Sequence, residues 1–241
     1  MNQGLVKTTK FKNPGYVGDP LNAVKIFNEK EVDEIVLLDM YASLEGRTPN
    51  LKLINEIASE CFIPLAYGGG ISTFEHAKSV FDQGVEKIII NSNLLDLKLI
   101  NSIVKVYGSS SVCASIDIKK NFFGNYNVFN KSNKILNKYD IFDLIKLIQD
   151  NGVGEIFIQS VNNDGCMKGY DLEIIKKIKD LINVPLVISG GAGSINDFSL
   201  AISAGASAVA ASSFFIYKGI HKAVLISYPN QNELKSIYER N

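Results

Sequence analysis

Three sets of residues in this sequence have the types and spacing to do chemistry. The first is acidic: Asp39 closes the apolar run EIVLLD, Asp117 closes SVCASID, and Asp164 stands in the turn NNDG. A carboxylate at the end of a strand can give or take a proton once its surroundings shift its pKa. Asp117, followed by Ile118-Lys119-Lys120, is the best general acid/base candidate. Asp39 has two readings, a ligand contact or a brace that holds its own loop through hydrogen bonds to N–H groups. Asp164 is either a turn residue or, with Gly165 beside it, a point of close backbone approach to a ligand.

The second set is glycine-rich. PLAYGGGIST and PLVISGGAGS each end an apolar run and lead into a helical pattern, so the N–H groups around Gly69-Gly70 and Gly190-Gly191 could hold an anion, unless the glycines serve only a tight turn. Neighbouring runs end in Asn91-Ser92 and Ser212-Ser213, which add donors. Two related loops, each beside a polar strand end, point to a ligand with two phosphates. The third set lies at the opposite strand ends, where Glu34, Lys87 and Glu155 open EIVLLD, KIIIN and EIFIQ. Facing inward they form an acid–lysine–acid ring; facing outward they are solvated charges. Buried charges persist only when paired, so a ring would have a purpose.

The elements that must position these residues alternate along the chain, short apolar runs with helical patterns, which implies parallel βαβ units. The segment NFFGNYNVFNKSNKI, about residues 121–135, breaks the alternation and reads as a loop or small hairpin. The alternation also repeats. Val32–Ile54 aligns without a gap on Val153–Ile175, and the same offset carries Gly69-Gly70 onto Gly190-Gly191 and Asn91-Ser92 onto Ser212-Ser213. The expected fold is therefore an α/β (βα)8 barrel made of two half-barrels, about residues 1–110 and 111–230 of a single domain. Seven strands are clear. The counterpart of SVCASID falls just before Met1, so strand one is expected to precede the sequence or to be lost.

The 241 residues are 46% hydrophobic and 21% charged with a formal net charge of zero, which gives no basic footprint for nucleic acid or acidic membranes. Cys61, Cys113 and Cys166 are scattered and form no zinc pattern, and His76 and His221 have no carboxylate at ligand spacing. No metal or cofactor is expected, no run is long enough to span a membrane, and a cytoplasmic location fits best.

Several stretches, in order and over nearly the whole chain, resemble the cyclase subunit family (HisF) of imidazole glycerol phosphate synthase: VKTTKF, VDEIVLLDMYAS, PLAYGGGIST, VEKIIINS, ASIDIKK, GEIFIQSVNNDG, ISGGAGS and AASSFF. The resemblance implies a barrel that takes ammonia from a glutaminase subunit at its bottom, through a gate containing Glu34, Lys87 and Glu155. At the rim a bisphosphorylated ribulosyl-formimino aminoimidazole carboxamide ribonucleotide would be cleaved and cyclised. By the same matching, Gly69, Gly70, Asn91 and Ser92 hold one phosphate, Asp164, Gly165, Gly191, Ser212 and Ser213 hold the other, and Lys7 closes over the substrate. Departures are equally visible. Of the family's two aspartates only Asp117 is present, Asn162-Asn163 replace an Asp-Arg pair, and Tyr67 precedes the three glycines. These resemble a branch associated with surface-polysaccharide (lipopolysaccharide) genes, in which the barrel supplies ammonia for an acetamidino group on a sugar, alongside a sugar amidotransferase. A related aldose–ketose isomerase shares the phosphate sites but has no use for a gate.

Overall fold

The computed structural model describes residues 4–238. The strands are β1 (Leu5–Thr9), β2 (Lys12–Gly18), β3 (Ile35–Leu38), β4 (Leu65–Gly68), β5 (Lys87–Ile90), β6 (Val112–Lys120), β7 (Tyr126–Val128), β8 (Glu155–Ser160), β9 (Leu186–Ser189), β10 (Ala208–Ala210), β11 (Tyr217–Lys218) and β12 (Ala223–Val224). The helices are α1 (Pro20–Glu29), α2 (Leu51–Glu60), α3 (Phe74–Phe81), α4 (Leu97–Tyr107), α5 (Ile141–Asp150), α6 (Leu172–Ile178), α7 (Ile195–Ala204), α8 (Ser213–Ile216) and α9 (Gln231–Tyr238).

Seven described strands pair in parallel in the order β10-β9-β8-β6-β5-β4-β3. Alternation along each strand sends every second side chain inward. Ala66, Ile89, Cys113, Phe157 and Val187 thus form one interior cluster, and Val36 of β3 and Ala210 of β10 both pack on it. The two outermost strands share one interior, so the sheet curls into a barrel that is open between them. Outward-facing Leu65, Tyr67, Ile88, Ile90 and Ile158 join the helix faces in the main core. This is the expected barrel architecture, with seven parallel strands among the described residues. The expected repeat counterpart of SVCASID falls outside the described residues.

The sequence repeat recurs in three dimensions. Elements β4 and β9, α2 and α6, and α3 and α7 begin at residues that align in the repeat. So do their caps: Asn50 and Asp171 accept the N–H of Leu53 and Ile174, and Thr73 and Ser194 accept that of His76 and Asp197. The backbone φ is positive at Gly69, Gly70, Gly190 and Gly191 alike.

The segment at 121–135 contains a hairpin, with β7 pairing antiparallel to the end of β6. Two further features lie outside the alternation read from the sequence: the β1–β2 hairpin over the rim and the run β11, β12, α9 after α8.

Candidate active site at the strand ends

Parallel strands bring their C-terminal ends to one rim, and the rim gathers the acidic and glycine-rich sets. Asp39 follows β3, Gly69 and Gly70 follow β4, and Asn91 and Ser92 follow β5; Asp117 lies in β6. Asp164 and Gly165 follow β8, Gly190 and Gly191 follow β9, and Ser212 and Ser213 follow β10. A cavity of about 850 Å3 runs from this rim to the strand entries, lined by Lys7, Asp39, Asn91, Asp117 and Asp164 and also by Glu34 and Glu155.

Asp117 is the carboxylate best prepared for proton transfer. The Asn91 Nδ2 donates to its Oδ2 at 3.3 Å and to the Ser115 carbonyl at 3.0 Å. Burial raises the Asp117 pKa and the Asp164 charge assists, while the Asn91 hydrogen bond and the Lys131 charge oppose; the result is about 7. At neutral pH the group can act as either acid or base.

The other two aspartates are occupied. Asp164, 2% exposed, accepts from the Lys7 ammonium at 2.5 Å, the Thr8 hydroxyl at 2.7 Å and the Phe11 N–H at 3.2 Å, so it anchors the β1–β2 hairpin over the rim. Asp39 braces its loop, accepting from the N–H groups of Tyr41 (3.1 Å) and Ala42 (3.0 Å), and from Arg47 at 3.1 Å. Sequence alone left that brace as one of two readings.

The glycines are required first by the packing of neighbouring loops. A Cβ on Gly69 would lie 2.7 Å from the Asp39 carbonyl, on Gly70 2.5 Å from that of Arg47, on Gly190 2.7 Å from that of Ser160, and on Gly191 2.1 Å from that of Gly169. Beside the second pair, Lys7, Gly165, Gly190, Gly191, Ser212 and Ser213 surround a hollow of about 30 Å3. Among the described residues the buried Ser213 hydroxyl has no hydrogen-bond partner. Around the first pair, the Ser92 hydroxyl meets that of Ser132 at 2.6 Å.

The strand-entry charges face one another. Lys87 Nζ donates to both Glu34 oxygens at 3.0 Å and to Glu155 Oε2 at 2.9 Å. Burial works against the Lys87 charge, but its two carboxylate partners outweigh that and hold its pKa above the ordinary lysine value. Immediately above, the buried Cys113 is paired in register with Glu155.

Tyr67, one of the departures from the family pattern, is 2% exposed and belongs to the core between sheet and helices rather than to the lining of the rim cavity. Asn162 exchanges hydrogen bonds with the backbone of Lys120, and Asn163 donates to the Gly169 carbonyl at 3.1 Å. Sequence reasoning missed Asn130, Lys131, Ser132 and Asn133, which reach the rim from the segment after β7. The polar run NKSNK beside an aspartate-bearing strand was the available signal.

Among the described residues no group of three His, Cys, Asp or Glu could hold a metal, and no helix is long and apolar enough to cross a membrane. The family described as "Histidine biosynthesis protein" matches residues 2–222. A Pseudomonas aeruginosa protein named "Putative imidazole glycerol phosphate synthase subunit hisF2" is 49% identical over 97% of this chain and 94% of its own length. The imidazole glycerol phosphate synthase subunit HisF of Dictyoglomus thermophilum is 37% identical over 89% of this chain and 86% of its own. That of Petrotoga mobilis is 38% identical over 91% and 87%. With the barrel, the rim carboxylates and these matches together, the chain belongs to the histidine biosynthesis protein family, among relatives named as HisF subunits of imidazole glycerol phosphate synthase.

Proposed function

We propose that this chain is the ammonia-using subunit of an imidazole glycerol phosphate synthase, a single-domain cytoplasmic lyase that needs no cofactor. One observation carries the reading: a single cavity is lined at one end by Glu34 and Glu155, both paired to Lys87, and at the other by Asp117. Ammonia from a glutaminase subunit docked at the strand entries would pass the paired charges and travel up the cavity. The bisphosphorylated ribonucleotide would lie across the rim, one phosphate at Gly69, Gly70, Asn91 and Ser92, the other at Gly165, Gly190, Gly191, Ser212 and Ser213. Lys7 would leave Asp164 to cover it. Asp117, with a pKa of about 7, would give a proton to the departing nitrogen and take one back during ring closure. The products are imidazole glycerol phosphate and aminoimidazole carboxamide ribonucleotide.

The test is turnover of that ribonucleotide by the purified protein, with a glutaminase subunit and glutamine or with ammonium salts alone. Asp117→Asn should lower the ammonia-dependent rate by about 10²- to 10⁴-fold. Wild-type protein inactive with both nitrogen sources would reject the reading. A second reading, ammonia supply for an amidino group on a sugar, draws its support from the departures in the sequence, Asn162-Asn163 in place of an Asp-Arg pair and a single one of the family's two aspartates among these residues. It keeps the lower cluster and needs no proton transfer at Asp117. Glutamine-dependent amidination of a sugar in the presence of a sugar amidotransferase would select it.

A further inference from the structure

Asn130 follows β7, is 3% exposed, and is held by contacts that fix its direction. Its Oδ1 accepts from the Ser132 N–H at 3.0 Å, the Ser132 hydroxyl at 2.9 Å and the Asn133 N–H at 2.8 Å. Two of these donors are backbone N–H groups, which cannot accept, so this end of the amide must be the oxygen. The other end is therefore the NH2 group, and it donates to Asn91 Oδ1 at 2.5 Å. Asn91 has no choice left: its oxygen faces Asn130, so its own NH2 faces the Ser115 carbonyl and Asp117. The backbone at Asn130 is pinned as well, since its N–H donates to Asn137 Oδ1 and its carbonyl accepts from Asn137 Nδ2 at 3.1 Å.

We propose that Asn130 is a positioning residue for Asp117, fixing the Asn91 amide so that a hydrogen-bond donor and never an acceptor meets the carboxylate. A donor favours the ionised carboxylate, whereas an acceptor could bond only to the protonated acid. Charged groups act on Asp117 from two further sides: Lys131 beside Asn130, and Asp164 after β8. Asp164 carries Lys7 of the β1–β2 hairpin as its partner. The inference rests on Asp117 being the acid/base group, so its test reads the titration itself as well as activity.

The experiment follows the Asp117 side-chain carboxyl by carbon NMR across pH in the whole chain, in wild type, Asn130→Asp and Asn130→Ala. In Asn130→Asp the near oxygen would still take the loop N–H groups, while the far one makes Asn91 turn and present its oxygen to Asp117. Its midpoint should rise by about one unit or more. Asn130→Ala, which adds no charge, releases the Asn91 amide and should give a smaller rise. Asn130→Ser replaces the first variant if that does not fold, and it too should raise the midpoint. A rise in Asn130→Asp alone would mean repulsion between charges and would overturn the proposal. So would unchanged midpoints with only a lower melting temperature, the result of a purely loop-holding role. Midpoints that move while the pH–rate profile stays fixed would uphold the positioning and reject Asp117 as the acid/base group.

Discussion

Lys87 sits between Glu34 and Glu155 with 17% of its side chain exposed, against 34% and 16% for the two carboxylates. Such a group is largely out of water, so its ammonium persists because both partners compensate for lost hydration. Replacing it with methionine would leave two carboxylates facing each other at the floor of the cavity with no cation between them, which destabilises the fold. In the proposed function, Lys87→Met should therefore depress the glutamine-dependent rate much more than the ammonia-dependent one. Equal rates to wild type with both nitrogen sources would remove the gate role. The strand-entry residues were identifiable in sequence because each opens an apolar run, but whether they faced inward was not, since alternation alone gives no absolute side. Asp117 was identifiable for the same positional reason. Asn130 was not, because its value comes from two backbone N–H groups that turn back onto its own oxygen, and no pattern of residue types marks that turn.

Most of the helices and parallel strands could be read from alternation, and their doubled caps kept the two halves in register. The β1–β2 hairpin could not. Its two-residue turn places Lys10 and Phe11 at φ of 55° and 59°, a conformation usually marked by Asn-Gly or Asp-Gly, and neither residue type advertises it. The hairpin is held by its landing site instead: Asp164 accepts from Lys7, Thr8 and Phe11, and the Lys131 ammonium donates to the Phe11 carbonyl at 2.7 Å. Gly165 permits this approach, for its φ is 69° and a Cβ there would lie 2.3 Å from the Thr8 carbonyl. Gly165→Ala should push the hairpin off the rim, and limited proteolysis should then cut between residues 5 and 18 much faster than in wild type. An unchanged digestion pattern would show that the hairpin does not depend on that contact. The hollow of about 30 Å3 under Lys7 has only the volume share of one water molecule. In the proposed function a phosphate would enter it only when Lys7 and Asp164 part.

At the scale of the whole molecule, the repeat explains the shape of the sheet and its open side. The first-half strands β3, β4 and β5 correspond to β8, β9 and β10, so β6, seated between β5 and β8, has its counterpart position between β10 and β3. Among the described residues, β10 and β3 are the two ends of the parallel sheet, and their outer N–H and C=O groups face the seam between them. Leu38 on β3 is 44% exposed there, and apolar residues of α1 and α9, among them Val24 and Leu234, line the cavity that opens along it. Unpaired strand edges next to apolar walls favour addition of a strand. A synthetic peptide with the sequence of β6, VCASIDIKK, has the length and alternation that the symmetry asks for, with its aspartate at the sixth position. Added in excess to the 241-residue chain, it should raise the melting temperature by about 5–11 °C at a peptide concentration near 100 Kd. A scrambled peptide should not, and Leu38→Lys, which sets a charge on the edge, should weaken the effect. Equal melting temperatures with β6 peptide and scrambled peptide would mean that the edges are closed to a strand, and that the seam owes its form to the helices around it.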